Sequence, residues 1–382
     1  MQPVVRMLGS HGIPATHGGF ESAAQAIALY LVAKGWRVVV YGQVQGRGRI
    51  TRDIWRGVER VLIPVSQPGW RGTAVFDWLS IRHACRYRDP CLTFGYNTAA
   101  FNVMQWMHGI PNVINMDGLE WARRGWSVPM RLALRINERV AAALGDALIA
   151  DHPLIRQHLL GFAPAQKITT IAYGADPIAA PVPEGPVRAL GLSPGGYFTL
   201  IARPVPENSV LEIVRAFSAR RRGKQLLVLG NLRADVAYHR AVRAVASAEV
   251  VFAGAIYDPV QVQALRHHAC GYLHGHTVGG TNPSLVEALA AGNPVIAHDN
   301  RFNRWVAGDA AIYFDDEIAV DRALAEVLAR PERAAAMAAA AQARFAAAFS
   351  WDRVAGQYEA LLRRFQPLPA PVARAEPVLE LA

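Results

Sequence analysis

Short apolar runs and amphipathic segments alternate along almost the whole chain, and the alternation runs its course twice. Strand-like runs lie at Val4 to Leu8, Trp36 to Tyr41, Val61 to Val65, Cys91 to Phe94, Asn112 to Met116 and Ala147 to Ala150. Between the first two, Phe20 to Lys34 carries Ala23, Ala24, Ile27, Ala28, Leu31 and Val32 at helical spacing, and Gly35 ends the segment. A passage rich in proline and glycine spans Pro177 to Gly196. The pattern then restarts at Tyr197 to Ala202, Gln225 to Leu229, Glu249 to Phe252, Gly271 to His274 and Pro294 to His298, with helices expected near Ser209 to Arg221, Ala234 to Ala246 and Asp258 to His267. Strands separated by helices need crossover connections, so the fold class is α/β with parallel sheets.

At 382 residues and 52% hydrophobic content the chain can bury two cores. The expected division is a first domain over 1–180, a linker over 181–196 and a second domain over 197–350. An Ala-rich helix, Pro331 to Phe349, precedes an amphipathic one, Trp351 to Phe365, whose stripe of Trp351, Val354, Tyr358 and Leu361 is expected to pack on a domain. Residues 366–382, with four prolines, are expected to form a mobile tail. Three cysteines without metal-like spacing fit a reducing compartment, and neither a secretory signal nor an apolar run long enough to span a bilayer is seen. The expected location is therefore cytoplasmic, including a peripheral position on the inner face of the cell membrane. A net charge of +10 suits an anionic partner.

The most informative segment runs from Gly279 to Ile296: a small-residue loop, a short helix and a buried strand. Asn282 is placed to cap the helix, Pro283 suits its first turn, and Gly292 and Pro294 stop it. Free N–H groups at such a helix start attract phosphate, so Gly280, Thr281 and Asn282 are candidate donor contacts. Glu287, one turn in, is placed to grip a ribose hydroxyl. The loop Gly9 to Glu21 follows the first strand and is long for such a connection; Gly18 and Gly19 are expected to open a helix start toward an anion. Its glycines match neither a GxGxxG fingerprint nor a P-loop. Arg203 directly follows an apolar strand, where a guanidinium can hold a diphosphate in a forked contact. Asp117 and Glu120 place two carboxylates after another strand, to orient an acceptor or contact donor hydroxyls, with an ordinary Asx turn as the plainer alternative. Arg123, Arg124, Trp126, Met130, Arg131, Leu132, Leu134 and Arg135 mix cations with apolar residues, as membrane-surface segments do and as ordinary packed helices also do. His274 and His276 lie on one strand face with no carboxylate or cysteine at ligand spacing, so no metal site is expected, and His276 is the candidate substrate contact.

Taken together, Gly12-Ile13-Pro14 with Gly18-Gly19-Phe20-Glu21, Asp117-Gly118-Leu119-Glu120-Trp121, Pro206-Glu207-Asn208 and Gly279 to Glu287 resemble the family 4 glycosyltransferases, in particular the bacterial rhamnosyltransferase-like branch of polysaccharide biosynthesis. The resemblance covers roughly residues 4 to 362. It implies a GT-B architecture, two Rossmann-like domains facing a cleft, with a final helix (351–365) crossing back to complete the first domain. It implies a metal-independent, retaining hexosyl transfer from a nucleotide-diphosphate sugar, with rhamnose from dTDP-rhamnose as the candidate, to a lipid-linked or growing polysaccharide acceptor. No cofactor beyond that co-substrate is implied. On this reading Asp117 and Arg203 are catalytic. Gly18, Gly19, Arg203, Asn208, His276, Gly280, Thr281, Asn282 and Glu287 line the donor, and His11 and Glu120 lie on the acceptor side. Three positions depart from the family pattern: Gly279 stands where a Glu is frequent, Asn208 where a Lys is frequent, and Asp117 where a catalytic-loop His often falls. Two other readings compete. A nicotinamide dehydrogenase or sugar-nucleotide epimerase has the right fold class but lacks the fingerprint; a basic nucleic-acid-binding protein uses the charge, but no RNA-binding motif is present and no nucleic-acid partner is expected.

Overall fold

The computed structural model describes residues 2–15, 18–123 and 125–366. Thr16 and His17 of the first loop, Arg124 of the basic segment and residues 367–382 of the proline-bearing tail lie outside the described residues. Eight strands form the first sheet: β1 (Val4–Leu8), β2 (Arg37–Gln45), β3 (Thr51–Trp55), β4 (Val58–Val65), β5 (Cys91–Phe94), β6 (Asn112–Asn115), β7 (Ala147–Ala150) and β8 (Ile168–Thr170). Their order is β3-β4-β2-β1-β5-β6-β7-β8, parallel except for the β3–β4 pair. The second sheet holds β9 (Tyr197–Ile201), β10 (Gln225–Leu229), β11 (Val250–Gly254), β12 (Gly271–His274), β13 (Val295–His298) and β14 (Ala311–Phe314), all parallel in the order β11-β10-β9-β12-β13-β14. The central strands are short and buried throughout because helices cover both faces, which is why they read as continuous apolar runs.

The edge strand β3 is not legible as a strand. Thr51, Arg52 and Asp53 are polar and exposed, so no alternation marks it. What makes it is the two-residue turn Arg56–Gly57, with φ of 49° and 83°, whose twist matches antiparallel strands. Arg60 then forks onto Asp53 across the pair.

The C-terminal helix, Trp351–Arg363, packs on the first sheet's side of the molecule. Val354, Ala355, Tyr358, Leu361 and Leu362 are buried in one cluster with Ala24, Ile27, Ala28 and Leu31 of the helix Gly19–Ala33. Polar contacts fix its register: Trp36 Nε1 donates to Glu359 Oε1 at 3.0 Å, and Asn115 Nδ2 donates to the Tyr358 hydroxyl at 2.7 Å. Tyr358→Phe leaves that buried amide without its acceptor, and a loss of about 1–3 kcal/mol is expected. Chemical denaturation with the same m-value checks it; an unchanged midpoint would show that the helix is held by packing alone.

Two boundaries need correction. Residues 181–196 are not simply a linker: Gly185–Ala189 forms a short helix, and Val187 and Leu192 are buried with Tyr197, Leu227 and Leu265 of the second domain's core. The apolar residues between the prolines, not the prolines, decide where this stretch sits. Gln366, expected to begin a mobile tail, is instead tied to β1: its side-chain amide accepts a hydrogen bond from Val4 N and donates to Val4 O, both at 3.0 Å.

Candidate active site

In both sheets the strand order reverses direction beside the first strand of the domain, between β1 and β5 and between β9 and β12. Loops leaving the carboxyl ends at such switch points diverge and leave a crevice, the usual ligand position in open α/β sheets. The candidate residues fall on these loops and on those after β6 and β7.

After β9, the exposed Arg203 is in no salt bridge among the described residues. Asn208, expected among the donor contacts, is buried instead, and its amide donates to the Arg203 carbonyl at 2.8 Å. It shapes the turn that presents Arg203. After β12, the rings of His274 and His276 stack with centroids 4.4 Å apart. Burial, then the charges of Arg203 and Arg123, push His276 down to about 3, so it is neutral, and its Nδ1 is buried with no hydrogen-bond partner among the described residues. The helix Pro283–Ala290 begins where the motif placed it, with Asn282 Oδ1 accepting from Ser284 N at 3.0 Å. Glu287 pairs with the buried Arg266 guanidinium at 2.5 Å and remains partly exposed. No spacing in the sequence signals that pairing, and it fixes the carboxylate's position.

Across the crevice, Asn115 Oδ1 accepts from Asp117 N at 3.0 Å, and Asp117 takes a left-handed φ of 53°. Burial, then the charge of Glu120, lifts Asp117 to about 6. Arg123 bonds Glu120 and reaches Glu207 of the second domain at 3.8 Å. Asp151, at the end of β7, is the residue that sequence reasoning missed. Its Oδ2 accepts from Thr281 N at 2.9 Å, and its backbone carbonyl accepts from the Thr281 hydroxyl. A Cβ at Gly280 would lie 2.2 Å from the Asp151 carboxylate oxygens, so this approach requires glycine there. The N–H of Thr281, expected to be free for a ligand, is therefore occupied. Burial, then the neighbouring Asp117, pushes Asp151 up to about 8, so it is protonated at neutral pH. The signal that marks it is the one used for Asp117: a carboxylate directly after a buried strand.

The first-domain loop departs from expectation. The start of the helix Gly19–Ala33 is not open to a ligand anion, because its own Glu21 folds back, accepting from His11 N at 3.0 Å and lying 3.3 Å from His11 Nδ1. Burial opposes the Glu21 charge, but the bonds from His11 and the backbone outweigh it and hold the carboxyl low. Gly18 caps this helix, while Gly19 lies against Pro283 of the second domain, so the two loop systems meet. His11 faces a cavity within the first domain, and Glu120 instead lies at the interdomain contact with Arg123.

Comparison with known proteins agrees with this geometry. A domain family of unknown function (DUF1972) matches residues 1–176, and a glycosyl transferase-like domain matches residues 211–360. The UDP-N-acetylglucosamine–N-acetylmuramyl-(pentapeptide) pyrophosphoryl-undecaprenol N-acetylglucosamine transferase of Caulobacter vibrioides is 27% identical over 361 residues, covering 85% of this chain and 91% of that protein. The chain has the two-domain GT-B fold, and its second domain matches a glycosyl transferase-like family. Its fold matches sucrose-phosphate synthase from Thermosynechococcus elongatus with a TM-score of 0.77 at 17% identity, covering 95% of this chain and 99% of that one. Anabaena HepE in complex with UDP matches with a TM-score of 0.72 at 14% identity, covering 95% and 100%. The dehydrogenase, epimerase and nucleic-acid-binding readings gain no support from these similarities.

Proposed function

We propose that the protein is a retaining, metal-independent glycosyltransferase that moves a sugar from a nucleoside-diphosphate donor to a lipid-linked or growing bacterial polysaccharide acceptor. The motif resemblance makes rhamnose from dTDP-rhamnose the first donor to try. The observation that carries the reading is the exposed Arg203 guanidinium, in no ion pair among the described residues, on the loop beside His276 and at the switch point that also holds the Gly279–Asn282 turn. A departing diphosphate needs fixed positive charge and N–H donors rather than a strong base; Arg203 supplies the charge, and the Gly280 and Asn282 N–H groups are the candidate donors, since those of Thr281 and Ser284 are taken up within the protein. Glu287, held by Arg266, is then the ribose contact. Two ionised carboxyls beside an anionic donor would repel it, but Asp151 is uncharged at neutral pH, which leaves Asp117 as the single charge of the pair. In the transfer itself the acceptor hydroxyl attacks the anomeric carbon on the face the diphosphate leaves, and a diphosphate oxygen takes the proton. The relatives named above, among them a protein solved with UDP and a transferase named for an undecaprenol-linked substrate, support the donor and acceptor classes. Proton NMR of the sugar product tests retention: the anomeric configuration of the donor is expected to persist, and inversion would remove this mechanism.

Peripheral contact with an anionic membrane is part of the same reading. No described helix is long and apolar enough to cross a membrane. The neighbouring helices Gly69–Ala84, Val103–Met107 and Val128–Leu144 expose Trp70, Trp106, Met107, Val128, Leu132 and Ile136. Arg71, Arg82, Arg135 and Arg139 are exposed on the same helices, whose acidic residues, Asp77 and Glu138, are both buried. Aromatic and arginine side chains without exposed acids suit the interface of an anionic bilayer. Trp106→Glu is expected to weaken sedimentation with phosphatidylglycerol vesicles several-fold. Equal binding to zwitterionic vesicles, or none to either, would count against membrane contact.

A further inference from the structure

A cavity of about 150 Å³ lies at the carboxyl ends of β1 and β5, the switch point of the first sheet. Phe20, Phe76 and Phe94 supply its apolar walls, and Asp77 and Asn102 its inner polar groups. Two polar groups at this cavity go unused by the fold among the described residues. Ser10 and Asn102 line it, both at least nine-tenths buried, and neither the Ser10 hydroxyl nor the Asn102 amide nitrogen has a hydrogen-bond partner among them. The Asp77 carboxylate is buried too, and it accepts from the Thr98 hydroxyl at 2.8 Å, which leaves it room to accept more. Buried polar atoms are almost always paired, so a cluster of orphans around a void points to a ligand that pairs them.

We propose that this cavity binds one uncharged sugar ring, the terminal unit of the acceptor, with Asp77, Ser10 and Asn102 bonding its hydroxyls. The inference rests on the glycosyl-transfer reading and deepens it. Hydroxyls both donate and accept, which matches an acceptor carboxylate, a donor amide and a serine that does either. Aromatic walls suit the apolar C–H faces of a pyranose. The volume is about half the lower bound for a drug-sized ligand, so one ring fits and a disaccharide or nucleotide does not. A phosphorylated or carboxylated sugar is disfavoured, because Asp77 and Glu21 are both acidic and, among the described lining residues, the basic side chain, His11, is committed to Glu21. Burial lifts Asp77 to about 6, so at neutral pH it is chiefly an acceptor of hydroxyl protons. The cavity also lies near the donor loop: Phe20 and Glu21 line it, and a Cβ at the adjoining Gly19 would meet Pro283 at 3.4 Å.

Saturation-transfer NMR on the full chain tests this with methyl glycosides of glucose, galactose, mannose, rhamnose and N-acetylglucosamine, against glucose 6-phosphate and glucuronate. At least one neutral glycoside is expected to bind, the charged sugars to bind far more weakly, and Asp77→Asn to weaken the neutral one roughly ten- to hundredfold. Ser10→Ala breaks no bond within the protein, so it keeps the fold and is expected to weaken the same glycoside several-fold. Binding that survives both substitutions, charged sugars binding as well as neutral ones, or no glycoside binding by a protein that a nucleotide sugar stabilises, would each overturn the assignment. Glycoside binding that depends on Asp77, in a protein that no nucleotide sugar stabilises, would support the cavity assignment and remove the transferase reading instead.

Discussion

Replacing Arg203 by alanine is expected to slow sugar transfer by roughly 10²–10³-fold, the usual cost of deleting a preorganised donor to charge that develops in the transition state. Thermal unfolding is expected to stay essentially where it is. Arg203 is exposed and in no ion pair among the described residues, so the fold draws little from its charge. The two readouts together separate a catalytic from a structural role. Arg203→Lys is expected to recover only part of the rate, because an ammonium keeps the charge but not the fork that grips two phosphate oxygens. Full activity in Arg203→Ala would move the leaving-group role elsewhere; Arg123, already engaged with Glu120 and Glu207, is the nearest alternative cation.

Asp151 carries the second large effect, and its sign can be worked out. The folded carboxyl titrates at about 8 against 3.8 for an ordinary aspartate, so between those values the folded chain holds a proton that the unfolded chain has lost. Stability therefore falls as pH rises across that window, by about 1.4 kcal/mol for each pH unit crossed and several kcal/mol in all, to order of magnitude. Asp151→Asn keeps an acceptor for Thr281 N and cannot ionise. The variant is expected to melt several degrees above the parent at pH 8.5 and to match it near pH 4. Donor affinity should follow the same course: ionised Asp151 would add a second negative charge beside Asp117, so the parent is expected to bind a nucleotide sugar more weakly above pH 8 while the Asn variant does not. Parallel stability profiles for the two proteins would show that Asp151 is ionised in the fold after all.

Much of the architecture is legible because both faces of the central strands are covered. Val4–Leu8, Cys91–Phe94, Ala147–Ala150 and Gln225–Leu229 are runs with few or no polar residues, and each lies where its pattern put it. The motif helix Pro283–Ala290 is legible through its cap, its proline and its glycine stop. The helix Gly69–Ala84 is not, since its Gly-Trp-Arg-Gly start reads as a loop and Pro68 gives no side-chain cap. The site is harder to read. Residue types on the loops can be named, but not which of them spend their bonds on each other: Asn208 on the Arg203 carbonyl, Glu21 on His11, Glu287 on Arg266 and Thr281 on Asp151. Such pairings come from contacts that local spacing does not encode, and two of them, Glu287 with Arg266 and Thr281 with Asp151, join residues more than twenty apart in the chain. Asp77 is equally hidden, because a single carboxylate within a helix looks like any solvated face until the cavity beside it is seen.

The most direct test of the central claim is thermal unfolding of the full chain against dTDP-rhamnose, UDP-glucose, UDP-glucuronate, UDP-N-acetylglucosamine and GDP-mannose, with Glu287→Ala alongside. One donor is expected to raise the melting temperature at saturating concentration, and the shift is expected to vanish in Glu287→Ala. No shift with any nucleotide sugar, or a shift that Glu287→Ala leaves unchanged, would contradict a donor site at the start of the helix Pro283–Ala290.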